Sequence, residues 1–255
     1  MDERFISHLK NIIIEAGKIS IGLRDEGLIV KRKKDSSPVT NADIEISNFI
    51  YSELTKLDQA IPIICEEQPL KDVLGKEMIW LVDPIDGTRS YIKNMDSFTI
   101  NIALICNQIP IIGLIYQPTS RKLYFTNHKE EFCLEKNGNT VEILRREDKN
   151  FIAVVSSRNF NYKTEKYIQD KGFSEVISIP SSIKLCMIAE GSADVYPKFG
   201  STMEWDTAAG QALIRAAGGT VIDNNTGKTL LYNTKNNFKN PDFIALNQKY
   251  RYLDS

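Results

Sequence analysis

The sequence lacks the residues that several classes of functional site require. Among 255 residues it has two histidines and four cysteines. So few histidines argue against a histidine-rich metal centre and against a Ser-His-Asp triad. The cysteines lie far apart and include no Cys-x-x-Cys pair. This spacing predicts reduced thiols rather than a zinc site or a disulfide framework.

A large excess of one charge and a long apolar run are also missing. The 32 basic and 33 acidic side chains leave a formal net charge of −1, whereas a general nucleic-acid binder is normally basic. No apolar run approaches the roughly 18 residues of a membrane helix, and the charged start MDERFISHLK has no apolar core of signal-peptide length. We therefore expect a cytoplasmic protein with no transmembrane segment and no nucleic-acid partner. Peripheral membrane association and the oligomeric state stay open.

The pattern of apolar residues that is present predicts an α/β protein in two halves. In the first half, residues 1–145, amphipathic helices at 4–23 and about 44–57 precede a series of strands. Residues 31–43, between these helices, are polar and contain proline, which is typical of a loop. In the second half, residues 146–255, strands and helices alternate. The first half is therefore expected to be α+β and the second α/β.

Acidic residues collect where predicted strands end. Glu66 follows a strand at residues 61–65, Asp83 follows a strand at 78–82, and Asp86 lies in the turn beyond it. Two carboxylates held this close repel each other unless a cation lies between them. Mg²⁺ prefers carboxylate, carbonyl and water oxygens. The pattern therefore predicts a magnesium site at this point of the chain.

Neighbouring groups strengthen this interpretation. Ile85 contributes a carbonyl, Gly87 lets the backbone approach a ligand closely, and Thr88 adds a hydroxyl. Farther along the chain, Asp206 opens a helix after a strand. Two ions about 4 Å apart would clamp a phosphate and activate a water for in-line attack. Taken singly, however, each acid is more often a helix cap or a solvated turn residue, and Asp206 could simply cap its helix.

Three motifs in a fixed order carry a resemblance. ICEE at 64–67, WLVDPIDGT at 80–88 and WDTAAGQALIRAAGG at 205–219 resemble those of the inositol monophosphatase superfamily. The stretches at 37–47 and 181–200 are similar to its 3′(2′),5′-bisphosphate nucleotidases of the CysQ type. The resemblance covers essentially the whole chain. It implies a layered αβαβα sandwich, with a metal-binding first half and a substrate-binding second half. It also implies Mg²⁺-dependent, lithium-sensitive hydrolysis of adenosine 3′,5′-bisphosphate to AMP and phosphate.

The resemblance also implies a role for each matching position. Two or three Mg²⁺ ions would be held by the carbonyl of Ile85 and by the carboxylates of Glu66, Asp83, Asp86 and Asp206. The catalytic residues would be Glu66, Asp43 and Thr88. Asp43 and Thr88 would orient and deprotonate the attacking water, and Asp43 would act either directly or through a further metal. The substrate would contact Glu66, Ile85, Asp86, Gly87, Thr88, Ser181, Lys184 and Asp206.

Ser181 and Lys184 match positions that hold the second phosphate or the nucleoside. Their spacing predicts that both lie on one face near the start of a helix. The alternative is that Ser181 is only an N-cap and Lys184 a solvated helix residue. An inositol or sugar monophosphatase and a non-catalytic metal- or nucleotide-binding protein of the same fold are the rival functions. The SSIK stretch disfavours the former, and the complete set of ligand types disfavours the latter.

Other positions leave the substrate less certain or have a plainer explanation. Related nucleotidases often carry a histidine where this chain has Asn159-Phe160, and arginine where it has Lys198. Phe160 is compatible with stacking on a base or with a place in the core. Glu67 is expected to be solvated or salt-bridged. The basic run at 31–34 could attract an anionic substrate, but charge runs usually face water, which favours a solvated loop.

Overall fold

Three sheets form the framework of the computed structural model, which describes residues 2–146, 150–157 and 161–251. The smallest sheet is a hairpin of β1 (Val30–Arg32) and β2 (Pro38–Thr40). A second sheet has seven strands in sequence order: β3 (Ile63–Cys65), β4 (Met78–Asp86), β5 (Thr99–Cys106), β6 (Ile109–Gln117), β7 (Lys122–Thr126), β8 (Phe132–Lys136) and β9 (Asn139–Thr140). Only its first pair, β3 and β4, is parallel among these described strands.

The second half of the chain builds the third sheet, which has five strands. These are β10 (Ile152–Ser156), β11 (Glu175–Ile179), β12 (Val195–Lys198), β13 (Thr220–Asp223) and β14 (Phe243–Leu246). Their order is β11-β10-β12-β14-β13. The first three strands in this order are parallel, and β14 is antiparallel to both of its neighbours.

Helices lie on both sides of the large sheets. The described helices are α1 (Glu3–Glu26), α2 (Asn41–Leu57), α3 (Thr88–Ile92), α4 (Tyr162–Lys171), α5 (Ile183–Glu190), α6 (Glu204–Ala216) and α7 (Gln248–Arg251). In the described residues, no helix combines the length and the apolar character of a membrane-spanning segment.

The helices and the two large sheets stack in five layers. α1 and α2 cover one face of the seven-stranded sheet, α5 and α6 lie between the two large sheets, and α4 and α7 cover the outer face of the five-stranded sheet. In β5, Ile100, Ile102 and Leu104 belong to the core under α1 and α2, whereas Ala103 and Ile105 belong to the core around α6. The predicted α/β class and αβαβα layering are thus confirmed. A division into two halves near residue 145 stays a prediction.

The first helices and the segment between them depart in part from the expected boundaries. α1 is confirmed, and the Asp2 side chain caps it by accepting the Phe5 N–H at 2.9 Å. The loop predicted over residues 31–43 is wrong, because this segment contains the β1–β2 hairpin and the start of α2. A reciprocal cap explains the earlier start of α2. Thr40 Oγ1 accepts the Asp43 N–H at 3.3 Å, and Asp43 Oδ2 accepts the Thr40 N–H at 2.7 Å.

A β-bulge corrects the predicted end of β4. The apolar run ends at Val82, but the strand continues to Asp86. Asp83 pairs with Asn101 and Asp86 with Thr99, so β4 advances by three residues while β5 advances by two. Side chains three residues apart lie on opposite faces of a regular strand, and one extra residue brings them to the same face. The bulge is therefore the physical reason for the spacing of the two aspartates.

Candidate active site

One cavity of about 460 Å³ collects most of the residues that the sequence singles out. It lies where the bulged end of β4 meets α3, β12 and the N-terminal ends of α5 and α6. Nine predicted positions line it: Glu66, Asp83, Ile85, Asp86, Gly87, Thr88, Ser181, Lys184 and Asp206. Asp43 does not line the cavity but is hydrogen-bonded to Thr88, which does. The fold thus brings all ten predicted site residues together.

Four carboxylates, Glu66, Asp83, Asp86 and Asp206, form what we call the acidic wall of the cavity. Three of them are each held by one donor of the protein: Asp83 Oδ1 accepts the Ile85 N–H at 3.1 Å, the Asp86 carboxylate accepts the Ser182 hydroxyl, and Asp206 Oδ2 accepts the Met203 N–H at 2.8 Å. Asp206 therefore caps its helix, as the plainer interpretation expected, and lines the cavity as well. In the described part of the chain, the other oxygen of each of these three carboxylates has no hydrogen-bond partner.

Burial and mutual repulsion raise the pKa values of three acids in this wall, Glu66, Asp83 and Asp206. Asp83 is only 1% exposed, and burial, followed by repulsion from Glu66 and Asp86, holds its pKa well above the usual range. Burial and the same two neighbours raise the pKa of Asp206 in the same way. The pKa of Glu66 is also raised by burial, although Lys33 opposes the shift. A cation that enters this group of buried acids would stabilise their ionised forms.

Lys33 is the protein cation that approaches the acidic wall. Its Nζ lies 2.6 Å from Glu66 Oε1, and it also forms an ion pair with Glu67. Burial alone would lower the pKa of Lys33, but the two carboxylates raise it above its usual value. The solvated loop favoured for residues 31–34 is therefore wrong for Lys33, because β1 and β2 bring it to the end of β3. The prediction of a salt-bridged Glu67 is confirmed.

The chemistry of the acidic wall fits a divalent cation, although its side chains are not arranged around one point. In residues 2–146, 150–157 and 161–251, no three acidic, histidine or cysteine side chains already stand as a metal would require. Glu66 forms an ion pair with Lys33, and Asp86 accepts the Ser182 hydroxyl. The donors nevertheless fit a hard cation, because each carboxylate of the β4 bulge keeps an oxygen without a hydrogen-bond partner in the described residues.

Asp43 and Thr88 form the pair that the resemblance implies for handling a water. Thr88 Oγ1 lies 3.2 Å from Asp43 Oδ1 and 3.2 Å from the Ile85 carbonyl oxygen, and it donates to one of them. The other Asp43 oxygen accepts the Thr40 hydroxyl at 2.5 Å. Burial raises the pKa of Asp43, while its bonds to Thr40 and Thr88 oppose the shift. Asp43 is thus a fixed, buried carboxylate with a bond to a hydroxyl on the cavity wall.

Gly87 is required by both its conformation and its surroundings. It precedes α3 with φ of 92°, which a residue with a Cβ rarely adopts. A Cβ at this position would lie 3.1 Å from the Ser97 carbonyl oxygen and 3.3 Å from the Ser181 Cβ. The backbone of the seven-stranded sheet therefore comes close to the segment that precedes α5, and the cavity lies along this contact.

The same cavity is lined by two buried lysines, Lys184 and Lys198, which we call the basic wall. They are 5% exposed each. Burial lowers the pKa of Lys184 to about 8, although Asp86 partly opposes the shift. Burial also lowers the pKa of Lys198, against the pull of Asp206. Lys184 Nζ donates to the carbonyls of Ile179 and Ser181 at 3.1 and 2.5 Å, whereas Lys198 has no hydrogen bond or ion pair within the described residues.

Both interpretations of Ser181 and Lys184 as helix residues need correction. α5 begins at Ile183 after the N-cap Ser182, so Ser181 lies outside the helix, with φ of 57°. Ser181 is therefore not the N-cap residue and does not share a helix face with Lys184, although its hydroxyl accepts the N–H of Ile183, the first residue of α5, at 3.4 Å. Lys184 is not solvated either, because its ammonium turns back to the carbonyl of Ser181. A left-handed serine next to a cavity is the kind of strained position that accompanies functional sites.

Sequence reasoning missed three residues of the site region. Lys33, Asn101 and Ser182 each contact a predicted residue or a neighbour of one. The doubled serine at 181–182 was a signal for the last of them, while Lys33 and Asn101 acquire their partners only through the tertiary fold. The departure at Asn159-Phe160, with its stacking interpretation of Phe160, lies outside the described residues.

Comparison with known proteins shows which family this chain resembles. The model of the inositol monophosphatase family matches residues 1–250. The chain is 40% identical over 214 residues to the 3′(2′),5′-bisphosphate nucleotidase CysQ of Salmonella typhimurium, covering 83% of this chain and 86% of that protein. It is 39% identical over 216 residues to the protein of the same name from Escherichia coli K12, covering 84% and 87%.

Solved structures resemble the fold over nearly its full length. The crystal structure of CysQ from Bacteroides thetaiotaomicron superposes with a TM-score of 0.84 and 34% identity, covering 96% of this chain and 98% of that one. The inositol monophosphatase of Thermotoga maritima gives a TM-score of 0.77 at 22% identity, covering 97% and 93%, and this likeness bears on the fold alone.

Proposed function

Since the chain belongs to the inositol monophosphatase family, we propose that it hydrolyses the 3′-phosphate of adenosine 3′,5′-bisphosphate, releasing AMP and phosphate. The resemblance seen in the motifs is thereby confirmed at the level of the family. The observation that carries the proposal is that an acidic and a basic wall line one cavity. Metal-bound phosphate suits the first wall, and a second anionic group suits the other. Relatives named as bisphosphate nucleotidases support the same substrate.

Members of this family are metal-dependent phosphatases, and we propose that Mg²⁺ is the ion here, with two or three bound. Glu66, Asp83, Asp86, Asp206 and the Ile85 carbonyl would hold it. When bound, Mg²⁺ would neutralise charge on the phosphoryl group and lower the pKa of a water. The proposal is supported by the raised pKa values of Asp83 and Asp206, which form no ion pair in the described residues.

Thr88 and Asp43 would handle the proton of the attacking water. The Thr88 hydroxyl can donate to Asp43 Oδ1, 3.2 Å away, and can accept a hydrogen bond from a water in the cavity. As the water oxygen bonds to phosphorus, its proton would pass to Thr88 Oγ1 while the Thr88 proton passes to Asp43. Burial raises the pKa of Asp43 and so makes it a better proton acceptor. The bond between phosphorus and the ribose 3′-oxygen breaks, and that oxygen takes a proton from solvent.

The basic wall would receive the phosphate that is not hydrolysed. Lys184 offers an ammonium already oriented by two carbonyls, and Ser181 offers a hydroxyl beside it. Lys198 lies on the same side of the cavity without an ion pair in the described residues, so an anionic group would satisfy it. A monophosphate such as inositol 1-phosphate would leave these lysines without an anion. This contrast supports a bisphosphate as the substrate.

Phosphate release from a small panel of substrates tests the proposal. The panel consists of adenosine 3′,5′-bisphosphate, AMP and inositol 1-phosphate, each with Mg²⁺, with EDTA, and with Mg²⁺ plus Li⁺. We expect Mg²⁺-dependent, Li⁺-inhibited release of one phosphate from the bisphosphate, with AMP as product. Full activity in EDTA would reject the metal. A preference for inositol 1-phosphate would indicate a monophosphatase, and no release from any substrate would indicate a binding protein.

A further inference from the structure

Ser182 occupies the N-cap position of α5 but does not cap the helix. A serine at an N-cap usually accepts a backbone N–H of the first helical turn through its hydroxyl. Ser182 makes no such bond. Ser182 is buried, with 3% of the residue exposed. Its hydroxyl therefore needs a hydrogen-bond partner inside the protein other than the helix backbone.

The new partners connect β5, α5 and the β4 bulge. Ser182 Oγ accepts the Asn101 amide Nδ2–H at 2.8 Å, and it contacts the Asp86 carboxylate as a donor. The Asp206 carbonyl oxygen lies 3.1 Å from the same hydroxyl. One buried hydroxyl therefore contacts the Asp86 carboxylate at the end of β4 and the backbone carbonyl of Asp206 in α6. It does so from the N-cap of α5, the helix that carries Lys184.

The chemistry of the three groups sets the direction of the hydrogen bonds. An amide nitrogen donates and cannot accept, and a hydroxyl has a single proton. With one lone pair of Ser182 taken by Asn101, its proton is directed to Asp86, since a charged acceptor forms the stronger bond. Asn101 itself is 1% exposed, and its Oδ1 has no hydrogen-bond partner in the described residues. This buried amide thus makes its hydrogen bond to Ser182 at the cost of leaving its oxygen unsatisfied.

We propose that Ser182, oriented by Asn101, is a positioning residue that holds one oxygen of Asp86 so that the other is available to a divalent cation. The inference rests on the proposed function, because it concerns how this chain presents Asp86 to the metal. Groups that fix a ligating carboxylate typically change metal affinity or activity by about 10- to 100-fold when they are removed. A purely structural hydroxyl would instead affect unfolding and leave metal affinity unchanged.

Calorimetric titration of the metal-free protein with Mg²⁺ tests this proposal without reference to turnover. Ser182→Ala should bind Mg²⁺ about 10- to 100-fold more weakly than the parent. Asn101→Leu, which keeps the hydroxyl but removes its orienting donor, should weaken binding by a smaller factor. Ser182→Thr, which restores a hydroxyl, should recover most of the lost affinity. Ser192→Ala is the matched control, because Ser192 follows the other end of α5 and, in the described residues, its hydroxyl bonds to Met187 and Glu190 rather than to the site.

The outcomes separate the inference from the function on which it rests. A parent that binds no Mg²⁺ would overturn the proposed function. A parent that binds Mg²⁺ while Ser182→Ala and Asn101→Leu bind it equally well would overturn only the positioning role. If Ser182→Ala does not fold, Asn101→Leu decides the matter: weaker Mg²⁺ binding with an unchanged thermal midpoint of the metal-free protein supports the proposal, and unchanged binding rejects it.

Discussion

The two walls of the cavity bury charges of opposite sign, and they compensate for that burial differently. On the acidic wall, backbone and hydroxyl donors hold one oxygen of each of Asp83, Asp86 and Asp206, and the pKa values of Asp83 and Asp206 rise. On the basic wall, two carbonyls hold Lys184, and the pKa values of both lysines fall. Burial thus favours the neutral forms of Asp83 and Asp206 on one wall and of the two lysines on the other. A ligand that carries both a cation and an anion would reverse both shifts.

The walls also differ in how the fold builds them. The acidic wall comes mainly from a strand of the seven-stranded sheet, where a bulge and close backbone contacts fix the side chains. The basic wall comes from the end of β12, the central strand of the five-stranded sheet, and from the first turn of α5, which follows a left-handed Ser181. Under the proposed function, the acidic wall would bind the metal-bound phosphate, which every substrate of the reaction carries. The basic wall is then where substrate choice is expected to lie.

Removing one carboxylate from the acidic wall should have the largest effect. Asp83→Asn should lower kcat by at least about a hundredfold, because a lost ligand displaces the ion that stabilises charge in the transition state. The metal-free variant should also unfold at a higher temperature than the parent, since one of several repelling buried acids becomes neutral. Thermal melts with and without Mg²⁺ check the second claim. An equal or lower midpoint in the variant would show that the acids do not destabilise each other.

Removing the Thr88 hydroxyl should have the second-largest effect. Thr88→Ala should lower kcat by about a hundredfold and leave KM and Mg²⁺ affinity nearly unchanged, because a group that moves a proton acts in the transition state. Thr88→Ser keeps the hydroxyl and should retain most of the activity. Steady-state kinetics of both variants provide the test. A rise in KM alone would make Thr88 a phosphate-binding residue instead.

Truncating the basic wall should change specificity more than rate. Lys184→Ala should reduce kcat/KM for adenosine 3′,5′-bisphosphate by roughly 2–3 kcal/mol, or about 30- to 150-fold, as expected for a charge-assisted contact. The same variant should hydrolyse inositol 1-phosphate about as well, or as poorly, as the parent. The ratio of the two kcat/KM values is the measurement. An unchanged ratio would reject Lys184 as the contact of the second phosphate.

The pH dependence of the parent should reveal the same contact. Because burial lowers the pKa of Lys184 to about 8, its ammonium is present below that pH and lost above it. An anion needs the charged form, so kcat/KM for the bisphosphate should fall as pH rises through about 8. The value for inositol 1-phosphate should lack this decline. If both substrates show the same decline, the titration belongs to a group of the acidic wall or to the metal-bound water.

Much of the acidic wall could be predicted from local sequence. Apolar periodicity located α1 and the strands, so acids at the strand ends were expected near one edge. The bulge in β4 could not be predicted, because it depends on pairing with Thr99 and Asn101 in the next strand. Pro84 lies within the bulge, where a proline is tolerated, so the strand continues past it.

The basic wall was harder to predict because its geometry depends on contacts that are distant in sequence. Ser181 was expected to begin a helix, yet close approach to Gly87 accompanies a left-handed conformation outside it. The same reason applies to Lys33, which lies outside the basic wall. It was expected to be solvated, because its partners Glu66 and Glu67 lie 33 and 34 residues away in the sequence. The charge pattern of a sequence therefore predicts the exposure of a side chain well only when that side chain finds no partner in the fold.

The smallest effect we predict concerns Lys33, which reaches the acidic wall as a protein cation. A metal that binds Glu66 must compete with an ammonium 2.6 Å from its carboxylate. Lys33→Met should therefore tighten Mg²⁺ binding by about fivefold, which corresponds to about 1 kcal/mol for a partly exposed ion pair. The metal-free variant should unfold at a slightly lower temperature, because Glu66 and Glu67 lose their counter-ion.

Lys34→Met is the matched control for this variant, because it removes an exposed neighbouring charge that forms no ion pair in the described residues. Calorimetric titration with Mg²⁺ at low and at high salt would separate local competition from a general change in charge. Local competition predicts that only Lys33→Met tightens binding, whereas a field effect predicts equal changes in both variants that vanish at high salt. Weaker binding in Lys33→Met would show the reverse arrangement, in which Lys33 supports the metal-bound form of the acidic wall rather than competing with the ion.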